Sequence, residues 1–385
     1  MKSEKKKSHI YVDTKTSIKE LITRAKQSSR IALDIEADSL HHYFEKVCLI
    51  QLKVGSASYI VDPLAGIDLT GLLKVLADKP LILHGGDYDL RMLREQYAFK
   101  PNSEVFDTML AAQLLGYERY GLVAVVQKLF GITLSKAGQK SNWSKRPLTQ
   151  AQLRYAGEDT NYLESLADKL KSELKRLGRE DWHRQCCEFM VRSTDSGKTT
   201  KNNKDKWRIR GSSKLIPRQL TFVKEIWNWR EKQAQIADRP PFKVMLNSLI
   251  MQLALWADSN PNTPLENGPK LPRNCRNKRL AMLKNAIRKA ANMDETESPG
   301  QRQSVPYKPL DPKTMEMIEA LRRECSSIAD RLKIDPSLLA PRASLTTIVY
   351  KKLRSLNEII KSGSLMPWQA ELIEPVVNKI LKKNY

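Results

Sequence analysis

The sequence predicts a mixed α/β domain followed by an all-helical region. Three apolar, strand-like stretches lie close together within residues 30–62, and helical periodicity then alternates with one further short strand. Beyond residue 206 only helical periodicity remains. Strands that alternate with helices indicate a layered α/β fold, whereas an uninterrupted series of helices indicates separate helical domains.

The predicted sheet begins with three strands, which are RIALDIEA, KVCLIQLKV and SASYIVDP. The segments that join them are short enough for hairpins, so we expect an antiparallel meander. A fourth short strand, PLILHGG, ends in two glycines. Three hairpin-like strands, followed by alternating helix and strand, therefore predict a mixed α/β layer fold.

Helices are predicted between and after these strands. The helical stretches are DLTGLLKVLAD, DYDLRMLREQYA, VFDTMLAAQLLGY and LVAVVQKLFG. Residues 148–178 are predicted to form one long helix, with Thr149 as its N-cap and Gly178 at its end. These helices would cover the faces of the sheet and complete a first domain over residues 9–190.

The second half of the chain is predicted to contain two helical domains. Residues 191–210 and 293–311 are polar, or rich in Pro, Gly and Ser, and are expected to be linkers around a helical domain at 211–292. A second helical domain is expected at 312–385. The segment IADR occurs at 236–239 and again at 328–331, an offset of about 92 residues that indicates a duplicated domain of ordinary size.

The charge of the chain is strongly uneven. The formal net charge is +23; residues 1–190 hold 29 basic and 24 acidic residues, whereas residues 191–385 hold 37 and 19. A basic half beside a balanced half predicts that one part holds a polyanion while the other acts on it.

The five cysteines form no C-x-x-C pair, and no apolar stretch is long enough to span a bilayer, so we expect a cytoplasmic protein without a zinc site.

Four acids and one tyrosine are candidates for chemistry. Asp34 and Glu36 lie two residues apart in a strand, so both side chains project from one face. Asp89 follows the fourth strand, and Tyr155 and Asp159 lie one helical turn apart. A lone D-x-E is more often a solvated pair of acids, but carboxylates from three segments could together hold two divalent cations.

The motifs LDIEADSL, HGGDYDLRML and YAGEDTNYL resemble the three exonuclease motifs of the ribonuclease D family, in the tyrosine-bearing DEDD class. The resemblance covers about residues 9–190, with Asn142 standing where the family usually has Asp. The segment around IADR at 236–239 resembles the HRDC domain that follows the nuclease in this family, and residues 328–348 resemble a second, more divergent copy. The implied fold is a ribonuclease H-like α/β domain, a mixed sheet flanked by helices, followed by two all-α HRDC-like domains.

The resemblance implies a role for each candidate residue. Asp34, Glu36, Asp89 and Asp159 would be the ligands of two divalent cations, Mg²⁺ or Mn²⁺, and Tyr155 would orient the attacking water. Asp107 lies outside this set and is interpreted either as a residue that supports the metal ligands from behind or as a structural residue. Residues considered for contact with the substrate are His42, His84, Lys136, Gln139, Trp143 and Arg146. Core packing is an equal alternative for Trp143, and a structural role is an equal alternative for His84.

Three functions remain open at this point. The first is a metal-dependent 3′–5′ exoribonuclease that releases 5′-mononucleotides from tRNA precursors and other structured RNAs, acting as a monomer. The second is a DNA exonuclease of the same class, since no motif reveals a contact to a 2′-hydroxyl. The third is a catalytically inactive RNA-binding protein, against which the intact set of four acids and Tyr155 argues.

Overall fold

The computed structural model describes residues 9–135, 137–195, 205–300 and 311–384. Lys136 and most of the two predicted linkers lie outside the described residues. The chain divides into two compact units. Within the described residues, the first unit comprises 9–37, 47–195 and 311–384, and the second comprises 38–46 and 205–300. The units therefore cut across the three predicted domains, because the last helical segment groups with the α/β domain.

The α/β domain is built on one mixed sheet of six strands in the order β1-β4-β3-β2-β5-β6. The strands are β1 (His9–Val12), β2 (Ile31–Ala37), β3 (Val47–Val54), β4 (Ala57–Val61), β5 (Leu81–Leu83) and β6 (Val105–Asp107). The pairs β2–β3 and β3–β4 are antiparallel, which confirms the predicted meander. The pairs β1–β4, β2–β5 and β5–β6 are parallel, so β2 lies inside the sheet with a partner on each side.

Eight helices belong to this domain among the described residues. They are α1 (Lys15–Gln27), α2 (Thr70–Ala77), α3 (Asp87–Tyr97), α4 (Thr108–Leu114), α5 (Leu122–Phe130), α6 (Gln150–Asp159), α7 (Leu163–Arg176) and α8 (Glu180–Asp195). Thr149 is the N-cap of α6, and its side chain forms a capping box with Gln152, as predicted for this helix start.

Two element predictions were wrong. The first three residues of VFDTMLAAQLLGY form strand β6 because they pair with β5 at the sheet edge, and Asp107 then caps α4. The predicted long helix over 148–178 is two helices, α6 and α7. The side chain of Asn161 donates to the carbonyl of Gly157, so it bonds locally at the break between the two helices. The helical period continues through the break, which explains why the sequence pattern did not reveal it.

The two faces of the sheet carry different cores. Leu33 and Ile35 point to the face covered by α1, α2 and α3, where they pack into an apolar cluster. Asp34 and Glu36 alternate with them and therefore point to the opposite face. That face is covered by α4, α6 and α7, and its larger apolar cluster includes Ala32. The carboxylates thus lie at one end of a face that is otherwise apolar.

The last five helices pack directly on the α/β domain. They are α13 (Pro312–Leu332), α14 (Pro336–Leu339), α15 (Arg342–Tyr350), α16 (Leu356–Lys361) and α17 (Pro367–Asn384). Their buried side chains belong to the same apolar cluster as those of α4 and α7. Arg179 donates to the carbonyl oxygens of Leu114 (2.6 Å) and Leu332 (2.7 Å), and Trp182 stacks on Trp368 with ring centroids 4.7 Å apart. These helices and the α/β domain therefore form one folded unit.

The second unit is a small helical domain with its own core. Its helices are α9 (Pro217–Ile236), α10 (Pro241–Val244), α11 (Asn247–Ser259) and α12 (Asn277–Ala291). Pro217 occupies the first turn of α9, where a missing N–H costs nothing. The order of a long helix, a four-residue helix and a further helix recurs in α13, α14 and α15, which is consistent with the internal repeat.

No helix among the described residues combines the length and the apolar character that crossing a membrane requires.

Candidate active site

Strand β2 presents Asp34 and Glu36 from the interior of the sheet. Asp34 lies opposite Gln51 of β3 in the strand register. Gln51 is fully buried, and the amide orientation that satisfies its hydrogen bonds donates to Asp34 Oδ2 (2.7 Å) and to the carbonyl of Ala156 (3.3 Å). Gln51 therefore fixes one of the two carboxylates. Sequence reasoning missed this residue, although the cross-strand register of a predicted hairpin could have indicated it.

Helix α3 places Asp89 beside Asp34. Asp89 lies in the first turn of α3, is 7% exposed and shares a hydrogen bond with the Asp34 carboxyl. The start of α3 is held by Asp107, whose buried carboxylate accepts from the backbone N–H of Gly86 (2.8 Å). The same carboxylate caps α4 through Met109 N (2.8 Å). Asp107 therefore ties two helix starts together, and through the start of α3 it also supports Asp89.

Helix α6 carries Tyr155 and Asp159 on one face. The Tyr155 hydroxyl is hydrogen-bonded to the Asp159 carboxyl. The ring of Tyr155 packs against Trp143, whose ring centroid is 5.9 Å away, and against the backbone at Gly138. A Cβ at Gly138 would lie 2.2 Å from the Tyr155 ring, so only glycine allows this approach. Trp143 and the backbone at Gly138 therefore restrict the position of the Tyr155 ring.

The acids converge on one point. Oxygen atoms of Asp34, Glu36 and Asp159 all lie within 4.8 Å of one another, and Asp89 adjoins Asp34. Burial raises the pKa of Asp34 to about 7, and burial together with the charge of Asp34 raises the pKa of Asp159 to about 8. Burial and the neighbouring acids also raise the pKa of Glu36 and Asp89 well above their usual values.

The donor set fits divalent cations. It consists of carboxylate oxygens alone, which are the ligands that Mg²⁺ and Mn²⁺ prefer. The pKa values of the four acids are raised chiefly by burial, and those of Glu36, Asp89 and Asp159 also by the charges of neighbouring carboxylates. Bound cations would supply compensating positive charge, so the four acids fit a site for divalent metal ions.

His84 lies in the wall of the cleft at this site. The cleft has a volume of about 580 Å³ and is also lined by Gln139, Ser135 and Arg119. His84 Nδ1 contacts Thr108 Oγ1 (2.8 Å), and the Thr108 hydroxyl donates to the carbonyl of Leu83 (2.9 Å). His84 Nδ1 must therefore be the donor, which leaves Nε2 as an acceptor with no partner among the described residues.

Two residues considered for substrate contact are occupied elsewhere. Trp143 is 1% exposed and packs in the core beneath α6, so its ring is not available to stack on a base. The guanidinium of Arg146 donates to both carboxylate oxygens of Asp62 at 2.6 Å, and also to the carbonyl of Cys48. Both placements favour a structural role.

Asn142 caps the turn by accepting from Ser144 N (3.1 Å), a role that the aspartate more usual at this position could also fill.

His42 lies in the second unit, in the loop of residues 38–46 that follows β2. His42 Nδ1 is 2.7 Å from a carboxylate oxygen of Asp238, and the other oxygen of Asp238 accepts from Tyr43 N (3.0 Å) and Phe44 N (3.3 Å). The Tyr43 hydroxyl donates to Glu231 (3.1 Å). His42 therefore contacts Asp238, which follows α9 and anchors this loop.

Comparison with known proteins assigns both parts of the chain. Residues 9–175 match the family model for a 3′-5′ exonuclease, and residues 219–263 match that for the HRDC domain. Ribonuclease D of Haemophilus influenzae is 29% identical over 361 residues, covering 91% of this chain and 84% of the relative. The crystal structure of Escherichia coli RNase D superposes with a TM-score of 0.70 at 23% identity over 98% of this chain, and a protein from Bifidobacterium adolescentis with 0.82 at 22% over 98%.

The fold and the acid cluster define a 3′–5′ exonuclease of the carboxylate, metal-dependent class. The chain belongs to the ribonuclease D family, and the predicted mixed α/β fold with a following HRDC domain is confirmed. The protein is a 3′–5′ exoribonuclease. The DNA exonuclease and the inactive binding protein are not favoured.

Proposed function

We propose that this exoribonuclease trims the 3′ ends of tRNA precursors and other structured RNAs, acting as a monomer with two divalent cations, Mg²⁺ or Mn²⁺. The observation that carries the proposal is the convergence of Asp34, Glu36 and Asp159 within 4.8 Å, with Asp89 adjoining Asp34. The Escherichia coli relative is described as an exoribonuclease involved in structured RNA processing, which supports the choice of substrate.

The four acids that would hold the cations come from three elements of the fold. Asp34 and Glu36 come from β2, Asp89 from α3 and Asp159 from α6. When bound, two cations would lower the pKa of a water and stabilise the negative charge on the departing 3′-oxygen. The protein's own contribution is to hold the carboxylates in place through Gln51 and the start of α3, so that little reorganisation accompanies the reaction.

Tyr155 would orient the water rather than remove its proton. Burial and the charges of Asp159, Glu36 and Asp34 raise the pKa of Tyr155 far above neutrality, so the hydroxyl keeps its proton. A neutral hydroxyl can donate one hydrogen bond and accept another. With its ring fixed by Trp143, Tyr155 can place a water at a defined angle, and orientation is a large part of what phosphoryl transfer needs.

Two predicted substrate contacts remain part of this proposal. Gln139 lines the cleft and offers an amide to a phosphate or a base. His84 also lines the cleft, but its unpartnered Nε2 is buried, so a contact with the substrate would require a small rotation of the ring. The basic second half of the chain, with 37 basic and 19 acidic residues over 191–385, would add affinity for the RNA backbone.

The test is hydrolysis of a 5′-labelled, 3′-extended tRNA and a DNA strand of the same sequence. The purified full-length chain is assayed with Mg²⁺, with Mn²⁺ and with EDTA, beside the variants Asp34→Ala and Asp13→Ala. Asp13 is an exposed acid away from the cluster and serves as the matched control. We expect stepwise shortening of the tRNA from its 3′ end, release of 5′-mononucleotides, and no activity in EDTA or in Asp34→Ala.

Activity that survives EDTA or Asp34→Ala would contradict the role of the acid cluster. Faster degradation of the DNA strand would contradict the substrate proposed. Elution of the active species as a dimer in size-exclusion chromatography with light scattering would contradict the monomer.

A further inference from the structure

The active-site cleft has a single basic side chain among the described residues that line it. Arg119 and the first turn of α5 line the same cleft as Asp34, Glu36 and Asp159. An RNA substrate brings one negative charge per nucleotide into a cleft that already holds several acids. A cation on the cleft wall is therefore placed where the polyanion needs a partner.

Arg119 is free to bind a ligand. Arg146 and Arg179 are both engaged by protein groups, the former by Asp62 and the latter by two backbone carbonyls. In contrast, Arg119 is exposed and makes no hydrogen bond or ion pair with any residue that the structure describes. Its guanidinium therefore lies more than 4.0 Å from every described carboxylate, including those of the acid cluster.

The segment that carries Arg119 is fixed on its N-terminal side by the C-terminal helices. Gly116 has φ +78° and approaches the backbone of Lys333 so closely that a Cβ there would lie 1.9 Å from the carbonyl oxygen. Next to it, the Tyr117 hydroxyl donates to Glu173 (3.3 Å), and the Lys128 ammonium lies 3.8 Å from the Tyr117 ring centroid. On the other side, Gly121 begins α5. Only a short connection is left between two anchored points, so the backbone at Arg119 is restrained on both sides.

We propose that Arg119 binds the phosphodiester next to the scissile one in the single-stranded 3′ end of the RNA, an inference that rests on the proposed exonuclease function. The scissile phosphate would lie at the cluster of acids and the cations they would hold, and Arg119 forms no ion pair with those acids. A guanidinium binds a phosphate through two parallel N–H donors, which gives both affinity and orientation. Arg119 would thus hold the strand that remains after each cleavage and select polynucleotides over substrates with one phosphodiester.

The experiment compares two substrates that differ in the number of phosphodiesters. The dinucleoside monophosphate ApA has only the scissile phosphodiester, whereas the pentanucleotide A5 also has the neighbouring one. The variants are Arg119→Gln, Arg119→Lys and the control Arg24→Gln. Arg24 is an exposed residue of α1, which packs on the sheet face opposite to Asp34 and Glu36.

We expect Arg119→Gln to lower kcat/KM for A5 by about 10- to 100-fold, the usual value of a charge-assisted contact, chiefly through KM. Its kcat/KM for ApA should stay within about 2-fold of wild type, because ApA lacks the neighbouring phosphate that Arg119 binds. The slope of log affinity for A5 against log salt should fall by about 0.7, the value for one contact to a single strand. Arg119→Lys should recover part of the loss, and Arg24→Gln should behave as wild type.

Unchanged kinetics of Arg119→Gln on A5 would overturn the inference, and so would equal losses on A5 and ApA, which would place Arg119 at the scissile phosphate. Asp34→Ala is assayed beside these variants. If the proposed function itself is wrong, Asp34→Ala will keep its activity on both substrates, which distinguishes that failure from a failure of the inference about Arg119.

Discussion

Replacing Asp34 by asparagine should stabilise the protein while abolishing its activity. In the absence of metal, Asp34 is a carboxylate enclosed beside Asp89, Glu36 and Asp159. Asparagine has nearly the same shape, keeps a side-chain oxygen that can accept from Gln51, and removes one negative charge. The variant thus relieves the repulsion that a metal ion would otherwise relieve.

The magnitude follows from the pKa of Asp34. Burial raises this pKa from 3.8 to about 7, which corresponds to an upper limit of about 4 kcal/mol. Because the folded-state pKa is raised, the folded protein binds the proton more tightly than the unfolded chain does. The resulting penalty is absent below about pH 3.8, grows as the pH rises, and is complete above about pH 7.

The assay is denaturant unfolding of the wild type, Asp34→Asn and Asp13→Asn in EDTA at pH 5 and pH 8. We expect Asp34→Asn to be more stable than wild type by about 1–4 kcal/mol at pH 8, with less than half of this gain at pH 5. Excess Mg²⁺ should stabilise the wild type more than the variant, since the variant lacks one ligand. A variant that is less stable than wild type in EDTA at pH 8, or a gain that does not depend on pH, would refute the reasoning.

Three further predictions follow from the site and the packing. Tyr155→Phe should lower kcat by about 10²-fold or more while Mg²⁺ still raises the melting temperature, because the hydroxyl orients water and does not bind metal; an unchanged kcat would contradict this role. Asp238→Ala should speed proteolytic cleavage within residues 38–46, because three hydrogen bonds to the loop are lost; cleavage at the wild-type rate would show that the loop is held by other contacts. Arg179→Met should lower the free energy of unfolding by about 1–4 kcal/mol in urea, because one buried and one partly buried carbonyl lose their donor; a change below about 0.5 kcal/mol would contradict this contribution.

The sequence predicted the acid cluster better than it predicted the contacts of the substrate. Asp34 and Glu36 were placed on one face by the two-residue period of a strand, and Tyr155 and Asp159 by the helical period. These are local rules, and the structure follows them. The roles considered for Trp143 and Arg146 depended on tertiary neighbours, Tyr155 and Asp62, which no local pattern specifies.

The sequence pattern also did not predict that the C-terminal helices group with the α/β domain. The periodicity of the C-terminal helices shows that each has an apolar face, but it does not show what covers that face. In the structure the cover is the α/β domain, through contacts such as Trp182 with Trp368. Removing residues 311–385 would therefore expose a large apolar surface of the nuclease, so a truncation cannot isolate the contribution of these helices to RNA binding.

The central claim is that four acids from three elements hold two catalytic cations. The most direct measurement is a Mn²⁺ titration followed by electron paramagnetic resonance, with the wild type and Asp34→Asn, in the presence of a 5′-mononucleotide. The account predicts two bound Mn²⁺ ions per wild-type chain, and weaker and fewer bound ions in the variant. Equal Mn²⁺ binding by the two proteins would contradict it.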